Sequence, residues 1–546
     1  MYRWLNEESQ KFLEKGYLLD GQTVDERVKI IAKKAEEILK IEGYADKFVE
    51  YMKQGWYSLS TPVWANFGTD RGLPISCFGS YIDDDMESIL ETHAEVGIMS
   101  KVGGGTSAFF GDLRPRGSDI TNNGKSHGSV HFMRMFENCV DIISQGNSRR
   151  GSFAAYLPID HGDIEEFLKI RSEGSPLQHI YTGVCVEDSW MNDMINGDED
   201  KRRIWAKVLE ARINTGFPYI FFTDTVNNDT VDVYLDKNMK ITHSNLCSEI
   251  CLVDDADQSF VCDLSSMNVL YYDEWKDTDA VETLTYFLDA VMTEFIEKAK
   301  DIKFLKRAVN FAINQRALGI GWIGWHSLLQ SKMIPFESME AKYLNVEIAE
   351  FIQNKTYEAS KNMAKMFGEP PLLKGYGRRN VTLTTQPPAK SSAFIIGQAS
   401  EGIEPHKSNY YIKDLAKGKF TIKNKELEKL LQSKNMDTPE VWESILQKSG
   451  SVQHLDFLTD HEKKVFKTFI EISPMETIIQ VAQRQKYIDQ SQSLNLMIDP
   501  KVSIKDLNSL IIEGWKMGVK TFYYHISVNA AQQLSRNILS CESCEG

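Results

Sequence analysis

The chain has 546 residues, with 62 Lys and Arg against 77 Asp and Glu for a formal charge of −15, and is 42% hydrophobic and 25% charged. That profile belongs to a folded chain with ample core, not to a disordered or fibrous one. The acidic balance speaks against nucleic-acid or membrane-surface binding, because a phosphate-tracking protein gathers Lys and Arg on one face.

At the N-terminus, Glu7 and Glu8 stand where an export signal needs an apolar run. Apolar stretches such as Leu318–Trp325 and Ser392–Gly397 fall far short of the ~20 residues of a bilayer span. A cytoplasmic location is expected, where most of the eight cysteines stay reduced and any disulfide is a working one. Thr23 and Glu26 make a capping box, and Val24, Val28, Ile31, Ala35, Ile38 and Leu39 recur at helical spacing, which predicts an amphipathic helix. Residues 1–57 thus read as a helical segment. From about 58 to 128, Gly and Pro punctuation, including Gly103-Gly104-Gly105 and Arg114-Pro115-Arg116-Gly117-Ser118, predicts loops between short elements. Such loops often carry binding groups.

Residues 425–485 read as mostly helical, with Thr438 as an N-cap and Pro439 at the first helical position. Leu494–Ile498, Ser503–Met517 and Lys520–Ile526 then read as strand, helix and strand. The class is α/β with helical additions. After Ser527 apolar periodicity stops, so residues 527–546 are expected to form a mobile tail, finishing Ser540-Cys541-Glu542-Ser543-Cys544-Glu545-Gly546.

A Cys-x-x-Cys pair this close to the end of the sequence, Cys541 and Cys544, has no core to staple. Three readings compete: half of a zinc site, a dispensable tail, and a dithiol that exchanges electrons. Zinc would need two more ligands, and Cys247 with Cys251 lacks zinc-ribbon spacing. Exchange is the favoured reading, since this spacing lowers a thiol pKa and mobility would let the pair serve two stations. From Ser527 to Cys541 a coil spans on the order of 20 Å, against a gyration radius of roughly 22 Å for a globule of about 450 residues. Among the interior cysteines, Asn245-Leu246-Cys247-Ser248-Glu249 sets a thiol between an amide and a carboxylate; alternation in an extended or loop segment would turn all three toward one ligand. Cys139, Cys185 and Cys251 read as small core hydrophobes.

The Asn-Leu-Cys-x-Glu run, the terminal Cys-x-x-Cys, Tyr523-Tyr524 within Lys520–Tyr524, Pro388-Ala389-Lys390-Ser391-Ser392-Ala393 and Glu401-Gly402-Ile403-Glu404-Pro405 together resemble the catalytic large subunit of class I ribonucleotide reductase, from about residue 58 to the last. The resemblance implies a ten-stranded α/β barrel over 58–526, with a central finger loop carrying Cys247, and a redox tail over 527–546. It implies a thiyl radical on Cys247 that abstracts the 3′-hydrogen of a ribonucleotide, Glu249 as the base for the 3′-hydroxyl, and Asn245 holding the sugar hydroxyls. Cys77 and Cys262 match the pair that reduces the 2′ position, and Cys541 and Cys544 would reduce the resulting disulfide. Tyr523 and Tyr524 resemble stacked tyrosines that pass the radical inward, a relay that the cobalamin-dependent class, the alternative reading, does not need.

Substrate binding is expected from Ser60, Thr61, Ser76, Ala389, Lys390, Ser391 and Ser392, with Lys390 untypical of that phosphate loop. Asp84 and Arg114 match effector-binding positions, and Gly146, Asn147, Ser148, Arg149 and Arg150 resemble a specificity loop. The implied partners are a radical-generating small subunit with its metal centre, a thioredoxin- or glutaredoxin-like reductant, ribonucleoside diphosphates with Mg, dNTP or ATP effectors, and a second copy as homodimer. No permanently bound cofactor or metal is expected in this chain. The segment before Ser58 carries no ATP-cone motif, so switching of overall activity by ATP and dATP is not expected.

Overall fold

The computed structural model describes residues 1–145, 151–415 and 418–527, without the side chains of 413–420 and 527. The N-terminal segment is helical: Glu7–Glu14, Val24–Leu39 and Tyr44–Gln54. The capping box forms as read, with the Thr23 hydroxyl accepting from Glu26 N–H and the Glu26 carboxylate accepting from Thr23 N–H. Val24, Val28, Ile31, Ala32, Ala35 and Leu39 form the buried face of that helix, which packs on Tyr44–Gln54 and on the long helix Ala280–Ala299.

Five strands run parallel in the order Cys77–Ser80, Gly105–Phe109, Phe153–Pro158, Tyr181–Val186 and Tyr219–Phe222. They are buried almost throughout, as a parallel sheet covered on both faces must be. A second parallel set begins with Phe260–Asn268 and Leu318–Ile323. It continues through two extended segments, 382–386 and 490–493, by the parallel bridges Ile320↔Thr384 and Gln386↔Gln492, and ends on Thr521–Phe522. The two sets meet at antiparallel seams. At one, Cys77–Ser80 faces Phe260–Asn268 with Cys77 opposite Cys262; at the other, Thr521–Phe522 faces Tyr219–Phe222. The regular ladder counts nine strands, of which Tyr57–Leu59 only extends the outer end of Phe260–Asn268. The segments 382–386 and 490–493 supply the two positions needed for the ring of ten.

The C-terminal strand–helix–strand forms as Leu496–Ile498, Ile504–Lys516 and His525–Ser527, with the two strands parallel. Residues 425–485 fold as Lys425–Ser433, Pro439–Gln447, Asp460–Val465 and Pro474–Gln485. Part of that region keeps a small core of its own, around Leu427, Leu431, Trp442, Ile445 and Phe466. No helix among the described residues is long and apolar enough to cross a membrane.

The reading of 58–128 as loops between short elements is corrected by a long helix, Met86–Lys101, capped by Asp85. Its buried side includes Thr92, Glu95 and Ser100 as well as Ile89, Val96 and Met99, so no clean apolar stripe marks it in the sequence. Glu95 is fully buried and pairs with Arg307 at 2.6 Å, while the hydroxyls of Ser80 and Ser259 donate to it at 2.9 Å. Arg307 donates further to Thr92 and to the Tyr81 carbonyl. The helix is thereby tied to both strands of the Cys77–Cys262 seam. Arg307→Met leaves the Glu95 carboxylate buried without its countercharge, and should cost about 3–5 kcal/mol, read as a lowered denaturant midpoint at pH 7.

Candidate active site

The finger loop enters the barrel between the two parallel sets. Ser244 Oγ donates to the Ile250 carbonyl at 2.7 Å across its base, and Tyr156 Oη donates to the Asn245 carbonyl at 2.7 Å. Ser248 turns the tip with φ +66°, a left-handed conformation that sends the following residue back toward the strands. The loop is then locked to the second strand set: Ser493 Oγ donates to the Cys247 carbonyl at 2.6 Å, Thr521 Oγ1 to the Ser248 carbonyl at 2.8 Å, and Thr385 Oγ1 to the Glu249 carbonyl at 2.7 Å.

A cleft of about 580 Å³, part of it open to solvent, lies over the tip. Ser60, Thr61, Ser76, Cys77, Cys247, Glu249, Ala389, Lys390, Ser391 and Ser392 all line it, together with Ser58, Leu264–Ser266 and Pro387–Pro388. The expected substrate-binding set Ser60, Thr61, Ser76, Ala389, Lys390, Ser391 and Ser392 is therefore on its wall. Cys262 is wholly buried and stands behind Cys77 across the seam. Leu318–Ile323 passes beside it with Gly319, where a Cβ would meet Leu264 and Thr385 side-chain carbons at 2.5 Å.

Asn245, expected to hold the sugar, does not line the cleft. Its Nδ2 donates to Glu249 Oε1 at 2.9 Å and to Cys77 Sγ at 3.3 Å, and its Oδ1 accepts from Glu249 N–H and Ile250 N–H. The left-handed turn at Ser248 replaces the extended alternation, so Asn245 stands behind the carboxylate it orients. Glu249 also accepts from Ser493 Oγ at 3.2 Å. Burial pushes its carboxyl up to about 7, against the pull of these hydrogen bonds. Burial likewise raises Cys262, holds Cys251 up at about 12 and raises Cys185 and Cys139, the last three as core residues.

Tyr523 is buried and Tyr524 half-buried, their ring centroids 4.1 Å apart at 57°, a tilted pair and not a parallel stack. Tyr219, on the facing strand, lies 4.7 Å from Tyr523 and 5.4 Å from Tyr524. Tyr523 N–H donates to the Leu494 carbonyl, one residue beyond Ser493, which holds Cys247. Asp84 and Arg114 form a 2.6 Å ion pair, which Arg114 N–H strengthens by donating to Asp84 Oδ1, away from the cleft lining. Gly146–Arg150 and the dithiol Cys541 and Cys544 lie outside the described residues.

Sequence reasoning missed Ser493, Gln490 and Tyr219. The first two belong to Asp489-Gln490-Ser491-Gln492-Ser493, a polar run between Ile488 and Leu494 that is buried throughout. Polarity there reads as surface loop, but its setting between apolar residues beside a helix end was the available signal.

Family models for the ribonucleotide reductase barrel domain match residues 75–201, 195–373 and 371–525, and the all-alpha domain of the same family matches 3–72. The chain belongs to the ribonucleotide reductase large-subunit family. The alpha subunit of an Actinobacillus ureae class Id ribonucleotide reductase superposes with a TM-score of 0.92 at 55% identity, covering 99% of each chain. The ribonucleoside-diphosphate reductase large subunit of Invertebrate iridescent virus 3 is 32% identical over 92% of this chain and 92% of its own, and that of Danio rerio 29% identical over 94% and 74%.

Because folding raises the Glu249 pKa, the native state holds a proton that the unfolded chain releases between the ordinary carboxylate range and pH 7. Stability contributed by this group is present below that window and falls as pH rises through it. The stability gained by Glu249→Gln over the unsubstituted chain should be small at pH 5 and larger by about 3 kcal/mol at pH 8, measured by denaturant unfolding at both values.

Proposed function

We propose that this chain is the catalytic large subunit of a class I ribonucleoside-diphosphate reductase, converting ribonucleotides to 2′-deoxyribonucleotides. The observation that carries the reading is the convergence, in one buried cleft, of Cys247 and Glu249 on the finger loop with Cys77, whose partner across the seam is Cys262.

Each part of the geometry fits a step. An S–H bond and an activated sugar C–H bond are close in strength, so a thiyl radical on Cys247 takes the 3′-hydrogen reversibly. Glu249, poised near neutrality by burial, accepts the 3′-hydroxyl proton. Asn245 keeps that carboxylate and the Cys77 sulfur in fixed relation. The 2′-hydroxyl then leaves as water, with two electrons and the needed protons from Cys77 and Cys262, which become a disulfide. The hydrogen on Cys247 returns to C3′. Ser391, Ser392, Thr61 and the Lys390 ammonium suit the diphosphate end.

The radical originates in the metal centre of a separate small subunit, and Tyr523 and Tyr524 carry it inward. This pair, along with the similarity to a class I alpha subunit, favours class I over the cobalamin class. Cys541 and Cys544 reduce the disulfide and are renewed by a thioredoxin- or glutaredoxin-like protein. Asp84 and Arg114, with the loop Gly146–Arg150, serve effector nucleotides at a homodimer interface.

The test is CDP reduction with and without candidate small subunits encoded beside the gene. Cys247→Ser abolishes product, whereas Cys541→Ser with Cys544→Ser stops after about one turnover with a protein reductant but proceeds with dithiothreitol. Turnover with adenosylcobalamin and no second protein overturns the class I reading. Glu249→Gln should lower kcat by on the order of 10²-fold or more and remove an acid limb near pH 7 from the kcat profile.

A further inference from the structure

The two thiols of the seam differ in surroundings. Cys77 lines the cleft, while Cys262 is wholly buried and does not. Behind Cys262 stands Gln490, also wholly buried. Its neighbours fix which way its amide points. The side-chain oxygen accepts the Cys251 backbone N–H at 3.1 Å, a group that only donates. The nitrogen lies 3.2 Å from the Leu318 carbonyl, a group that only accepts. The edge facing Cys262 Sγ at 3.5 Å therefore carries N–H.

Thr382 Oγ1, at 3.1 Å, is a third acceptor, since its own proton is directed to the Leu318 carbonyl. Two amide hydrogens are thus shared among three acceptors. A neutral thiol is the weakest of them, but a thiolate would be the strongest. Gln490 is held in place from its backbone as well, where its carbonyl accepts from the buried Lys520 ammonium at 2.8 Å.

We propose that when the Cys77–Cys262 disulfide is reduced, the incoming dithiol attacks Cys77, and Cys262 departs as a thiolate held by the Gln490 amide. The proposal rests on the function proposed above for the existence of that disulfide. The external thiolate forms an S–S bond to Cys77 as the Cys77–Cys262 bond breaks, and the electron pair of the broken bond leaves on Cys262, which then takes a proton. The second external thiol displaces Cys77 from the mixed disulfide. Two protein thiols result, and the dithiol is oxidised to a disulfide. Attack at Cys77 follows from access, because of the two disulfide sulfurs only that one borders the cleft. The stability of the leaving thiolate governs such exchanges, and burial alone works against it at Cys262. Gln490 supplies a hydrogen bond that strengthens as the charge develops.

The experiment uses the full chain with Cys541→Ser and Cys544→Ser, oxidised without small subunit or nucleotide, and follows disulfide reduction by dithiothreitol with alkylation and mass mapping. Gln490→Leu should slow reduction by about tenfold, the scale of one hydrogen bond to a charged group. Gln490→Glu keeps the acceptor for Cys251 N–H, so it serves where the leucine variant fails to fold; above the pH at which its buried carboxyl ionises it should be slower still, because a carboxylate then faces the leaving sulfur. Excess 2-mercaptoethanol should leave its adduct on Cys77. Unchanged rates in folded variants, or an adduct on Cys262, overturn the assignment to Gln490 while leaving the function standing. If the unsubstituted chain forms no Cys77–Cys262 disulfide, the function itself fails and this proposal with it.

Discussion

The register between Cys77–Ser80 and Phe260–Asn268 is the constraint on which the rest depends. It sets Cys77 opposite Cys262 although a long stretch of chain, including most of the first parallel set, lies between them. A slip of one residue would turn one thiol to the other face of the sheet. The seam is held by more than its ladder. Glu95, Arg307, Ser80 and Ser259 make a buried charged cluster that ties both strands to the helix Met86–Lys101. Such a cluster contributes position more surely than net stability.

The finger loop solves a related difficulty, that of placing a carboxylate and a sulfur in an apolar interior with few charges nearby. Asn245 Nδ2 and Ser493 Oγ donate to the Glu249 carboxylate, so its burial appears as a raised pKa and not as a broken fold. Hydroxyl groups of the second strand set serve as the mould: Ser493, Thr521 and Thr385 each grip a loop carbonyl.

Local signals in the sequence were legible where one element decided its own shape. The capping box at Thr23 and Glu26 and the strand–helix–strand from Leu496 onward follow from spacing and propensity. The helix Met86–Lys101 was not legible, because Thr92, Glu95 and Ser100 interrupt its apolar face to meet partners far along the chain. The cleft residues came from motif resemblance and all fall on its wall, whereas Asn245 turned out to stand behind it, since the left-handed turn at Ser248 cannot be read from composition. Gln490 and Ser493 escaped notice because their importance lies in what packs against them.

The two antiparallel seams lie on opposite sides of the ring, with Gly105–Phe109, Phe153–Pro158 and Tyr181–Val186 between them on one arc. The cysteine pair sits at one seam, and Tyr219 with Tyr523 at the other. Under the proposed function, paired electrons enter the cavity from one flank and single electrons from the other, with the finger loop between. Such an arrangement keeps the inward path of single electrons on the side of the ring away from the Cys77–Cys262 pair.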